Sequence, residues 1–100
     1  MAEFLVILTF DADTTKHDPN YDCADKALES IGFYRNIEKA DGTDVELPFN
    51  TYAGKFTGET AGGVASDVAN RAAEKLPSCD IVGRVFAVAC SDWAWSKRKI

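Results

Sequence analysis

Two acids stand at the end of the most apolar stretch of the chain. Phe4-Leu5-Val6-Ile7-Leu8-Thr9-Phe10 runs straight into Asp11 and, past Ala12, into Asp13. A carboxylate at the end of a buried strand is held by a rigid element yet open to a ligand. That setting suits metal coordination or activation of a water. The same residues also stop strands and start turns without any chemistry, and both readings stand on these residues alone.

Other chemistry-bearing groups are sparse. His17 is the single histidine; in its polar loop it is either a general acid or base or merely solvated. No His–acid partner set supports a Ser or Cys nucleophile. Gly58, Gly62 and Gly63 precede a helix but lack the Lys-Ser/Thr ending of a phosphate loop. Cys23, Cys79 and Cys90 cannot all pair within one chain, and none forms a C-x-x-C spacing. They read as reduced packing residues, with Cys90 buried, which suits a cytoplasmic protein. Oxygen groups are plentiful: Asp11, Asp13, Asp41, Asp44, Glu46 and Asn50 would suit Mg²⁺ better than a transition metal. The alternative is an acidic rim holding no ion. Trp93 and Trp95 stack on bases or pack into a dimer seam, and Lys97-Arg98-Lys99 is a local basic patch or a solvated terminus.

Composition bounds the rest. One hundred residues, 46% hydrophobic and 27% charged, make a single domain over 1–100 with a core of its own. The net charge of −5 and pI near 4.7 exclude non-specific attraction to nucleic acid, which needs clustered Lys and Arg. No apolar run reaches the length of a membrane span. The amino terminus lacks the features of a signal peptide, so the chain is expected to be mature as written.

The elements that must position these groups follow from spacing. After the first strand, a polar loop runs from Thr14 to Asn20. Tyr21, Ala24, Ala27, Leu28 and Ile31 recur at helical intervals, with Asp18 or Asn20 as cap and Gly32 as terminator. Phe33 to Lys39 reads as a second strand, Asp41-Gly42 as a turn, and Thr43 to Pro48 as a ragged excursion. Phe49 to Phe56 reads as a third strand. Thr57 or Thr60 caps a second helix with an alanine-rich stripe from Ala61 to Leu76, closed by Pro77. Ile81 to Cys90 is the last strand, apolar on both faces except for Arg84.

Strand, helix, strand, strand, helix, strand is the α+β ferredoxin-like βαββαβ order. It predicts a four-stranded antiparallel sheet with strands one and three central and both helices on one face. The first and last strands are apolar on both sides, so a second copy is expected to cover the other face as a homodimer. The oxygen groups would then collect at one edge. Arg35, at the opposite edge, would approach Asp11 only across such a dimer.

At this point the chain resembles known families. Phe10-Asp11 is similar to the aspartate-ended first strand of the small CRISPR-associated adaptation nuclease and of virulence-associated protein D. Leu28-x-x-Ile31-Gly32-Phe33-x-Arg35 resembles the helix-end segment of virulence-associated protein D, and Asn50-Thr51-Tyr52-Ala53-Gly54 the strand-three segment of both. The GhoS antitoxin, an RNA-cleaving member of the same fold group, shares the layout and the acidic balance. The resemblance implies a dimeric, metal-dependent endoribonuclease of toxin–antitoxin or mobile-element type. Asp11 would be catalytic and, with Asp13, would hold Mg²⁺, while Arg35 would steady phosphate on RNA. The acidic surface and the long acidic segment after the second strand depart from that pattern. They motivate the alternative of a non-catalytic acidic module that binds a protein, as an antitoxin or phage-encoded inhibitor does. A small-molecule sensor is a third possibility.

Overall fold

A computed structural model describes residues 1–14, 18–38, 41–94, 96–98 and 100; His17, Trp95 and Lys99 lie outside the described residues. The apolar run forms β1 (Ala2–Phe10). After it come α1 (Tyr21–Glu29), β2 (Asn36–Glu38), β3 (Asp44–Glu46), β4 (Thr51–Gly58), α2 (Ala61–Lys75) with a 3₁₀ turn at Leu76–Cys79, and β5 (Val85–Cys90).

β1 is the centre of a three-stranded antiparallel sheet in the order β4-β1-β5. Alternation along β1 divides its side chains between two faces. Phe4, Val6, Leu8 and Phe10 are buried with Ala24 and Leu28 of α1 and with Val64, Val68 and Ala72 of α2. Both helices therefore lie on one side, as expected. Leu5, Ile7 and Thr9 point to the other face, in register with Cys90, Val88 and Phe86 of β5.

The helices start and stop on recognisable residues. The Asn20 side chain accepts from the Cys23 N–H at 3.0 Å, and the Thr60 hydroxyl accepts from the Gly63 N–H at 3.0 Å. Each satisfies an amide that the first turn leaves without a helical partner. Gly32, at φ 98°, turns the chain out of α1. Its own N–H reaches the Glu29 carbonyl and that of Phe33 the Leu28 carbonyl, at 3.1 and 2.9 Å. A side chain at that φ would be strained, which is why glycine stands there.

Four expectations are corrected. The sheet is not four-stranded. Tyr34 exchanges two main-chain hydrogen bonds of 2.8 Å with Ala53, a single bridge where the edge strand was expected. From Arg35 the chain leaves the sheet, and β2 pairs with β3 instead. The segment expected to be ragged is thus half of a hairpin. Ile37 and Val45 of the hairpin line a common cavity with Leu5 and Ile7 of β1, which sets the hairpin beside the open face. The cysteines are not all reduced either. Cys23 and Cys79 are joined in a disulfide with Cα atoms 5.5 Å apart, tying the start of α1 to the turn after α2. Cys90 is free and half-buried, not buried as expected.

Candidate functional site

β1 delivers Asp11 to the end of the sheet, as its apolar run requires. The β1–β5 ladder continues past the strand ends, since the Asp11 N–H donates to the Arg84 carbonyl at 3.0 Å and the Asp13 N–H to that of Val82 at 2.6 Å. This register sets the Asp11 and Arg84 side chains beside each other on the open face. Arg84 donates its main-chain N–H to Asp11 Oδ1 at 2.5 Å. Its Nε and Nη2 donate to Oδ2 at 3.0 and 2.7 Å. Hydrogen bonds from the Arg84 side chain, then from its main chain, hold the Asp11 carboxyl below the usual aspartate range. Gly83 makes the approach possible, because a Cβ there would fall onto the Asp11 main-chain oxygen.

Arg35 belongs to a different network. Its Nη1 lies 3.6 Å from Asp25 Oδ2 and its Nη2 3.4 Å from Glu46 Oε1. The Tyr52 hydroxyl donates to Asp25 Oδ1 at 2.5 Å. Burial, then the hydrogen bond to Asp25, pushes the Tyr52 phenol well above its ordinary pKa. Arg35 thereby links α1 to β3. Asp11 and Arg35, the two candidate catalytic residues, are each engaged with other partners within the chain.

The acidic groups do not converge. Asn50 reaches the end of β1, where its carbonyl accepts from the Phe10 N–H at 3.4 Å. Asp41 closes its own turn by accepting from the Thr43 N–H and hydroxyl, and Glu46 is turned to Arg35. Among the described residues, no three His, Cys, Asp or Glu side chains group as ion ligands would. Both carboxylate oxygens of Asp11 accept from Arg84.

β5 is the outer strand of the sheet, and two of its open-face residues are bare. Phe86 is 65% exposed and Val88 42%. A shallow depression of about 440 Å³ joins Phe86 to Asp11 and Arg84. Sequence reasoning did not assign Arg84 a role, although the signal was present. A lone charge inside an apolar strand needs a partner, and Asp11 is the acid that the antiparallel register puts opposite it. Asp25 gave no such signal, being one of several acids on the wet side of α1. Among the described residues no helix is long and apolar enough to cross a membrane. No family model, curated protein or solved structure matches this chain.

Proposed function

We propose that this chain is a non-catalytic binding module that works as a homodimer, with β5 as its assembly edge. The observation that carries this reading is the outward display of Phe86 and Val88 on an outer strand. Exposed apolar side chains on an unpaired strand edge favour addition of another strand.

The register supports a second copy as that strand. Val82 and Arg84 aim their carbonyls at β1, so in the same alternation Val85, Ala87 and Ala89 present theirs to the free edge. Two β5 edges pairing antiparallel about Val88 would set Ala87 of each copy opposite Ala89 of the other. Phe86 would meet Cys90, and Arg84 would meet Asp92, an attractive charge pair at each end. The net charge of −5, with Glu38, Asp41 and Asp44 exposed on the hairpin, favours a basic protein as the partner of the assembled module. The cytoplasmic expectation rested on reduced cysteines, and the Cys23–Cys79 bond removes that support.

Sedimentation of wild type beside Phe86→Lys tests the reading. A dimer that becomes a folded monomer in the variant is expected; a wild type that stays monomeric at high micromolar concentration rejects it. The second reading, metal-dependent RNA cleavage, is favoured by the position of Asp11 at an exposed strand end. Incubation with RNA and Mg²⁺ separates the two. Cleavage by wild type that is lost in Asp11→Ala would replace the binding-module reading.

A further inference from the structure

We propose that the space between the open face of the sheet and the β2–β3 hairpin is a binding site for a small apolar carboxylate. The cavity measures about 300 Å³, at the small end of the range that single-ligand sites occupy. Leu5 and Ile7 form its floor, and Ile37, Val45 and Leu47 its far wall. Trp93 and Cys90 complete the lining.

This site lies within one chain and does not rest on self-association through β5. Its walls come from residues far apart in sequence, which meet only because the hairpin folds back over β1. Lys97 and Arg98 both line the cavity and are exposed, which puts their charges at the rim. Among the described residues neither forms an ion pair. In a chain of net charge −5, two adjacent cations beside an apolar hollow select an anion with a hydrocarbon body. The body displaces water from the Leu5, Ile7 and Val45 surfaces, and the head group stays wet between Lys97 and Arg98. A charge at the other end of the ligand would have to be buried against carbon, so a ligand charged at one end fits and one charged at both ends does not.

Cys90 supplies the test, because with Cys23 and Cys79 bonded to each other it is the single free thiol. Octanoate and 1-octanol are the probes, applied to the full oxidised chain. The readout is the rate at which iodoacetamide alkylates Cys90, with circular dichroism recording that the fold persists. Octanoate is expected to slow alkylation saturably. The double variant Lys97→Gln/Arg98→Gln is expected to weaken that protection about tenfold, the scale of one lost charge-assisted hydrogen bond, while leaving protection by 1-octanol unchanged. Val45→Glu, which sets a carboxylate in the wall, is expected to abolish protection by octanoate. Absence of saturable protection by octanoate overturns the site. Equal protection by octanoate in wild type and the Lys97/Arg98 variant overturns the carboxylate assignment. Both rim residues are exposed, so that variant keeps the test decisive even if Val45→Glu disturbs the hairpin.

Discussion

Asp11 and Arg84, 73 positions apart in sequence, close the end of the β1–β5 ladder with three hydrogen bonds between one carboxylate and one arginine. A main-chain donor and a forked side-chain donor act on the same acid, so the contact fixes register as well as charge. The carboxyl is held below the ordinary aspartate value of about 3.9, and the sign of the pH dependence follows. A lowered pKa in the folded chain adds stability above the unfolded value and loses it as pH falls through the folded one. Wild type is therefore expected to exceed Asp11→Asn in stability by a constant margin at neutral pH. That margin should shrink below about pH 4. Urea titrations of both proteins between pH 7 and 2 measure it, and a margin that stays flat across that range rules out the clamp.

The same clamp depends on what Gly83 lacks. A Cβ at Gly83 would strike the main-chain oxygen of Asp11, and backbone cannot give way as the tip of a side chain can. Gly83→Ala should cost about 1–3 kcal/mol, the usual range for forced overpacking. Its amide exchange should quicken at Asp11 and Asp13, whose N–H groups bond across to β5. An alanine variant as stable as wild type would mean that the strands do not approach so closely.

The places where sequence and structure part have a common cause. β1 and both helices were legible because each is a pattern repeated over many residues, and the stop at Gly32 because glycine directly follows the helical stripe; Thr60 was one of two cap candidates beside Thr57. β2 and β3 have three residues each and one inward apolar side chain each, Ile37 and Val45; an alternation that short is indistinguishable from polar loop. The position of Asp11 at the strand end was legible, but its partner was not. Arg84 reaches it through a register that only the folded sheet defines. Cys23 and Cys79 lie 56 residues apart without a spacing motif, and their meeting depends on how α1 packs against the turn after α2.

That long separation predicts the weight of the disulfide. Closing a loop of this size removes unfolded-state entropy worth about 4 kcal/mol in the chain-entropy account. For a domain of 100 residues the corresponding fall in Tm is roughly 15–30 °C. Thermal melts of the oxidised chain and of chain refolded in reductant measure it, with alkylation expected to rise from one labelled thiol to three. Coincident melts, or three thiols in the untreated protein, would exclude the Cys23–Cys79 link.

Arg35 and Tyr52 meet at one carboxylate, and this makes their energies interdependent. Tyr52 is 2% exposed and donates to Asp25; Arg35 approaches the other oxygen of Asp25 and continues to Glu46. Tyr52→Phe leaves the packing in place and should cost about 1.5–3 kcal/mol, as for a hydrogen bond to a charged group. Arg35→Met should cost about 1 kcal/mol, because its two ion pairs are long and partly open to water. It should also quicken amide exchange in the hairpin, which loses its tie to α1, while leaving β1 and β4 protected. Removing either partner changes what Asp25 can offer the other, so the double variant should fall short of the sum of the two losses or exceed it by at least about 0.5 kcal/mol. Strict additivity in that cycle, with hairpin exchange unaltered in Arg35→Met, would show that Arg35 does not position the hairpin.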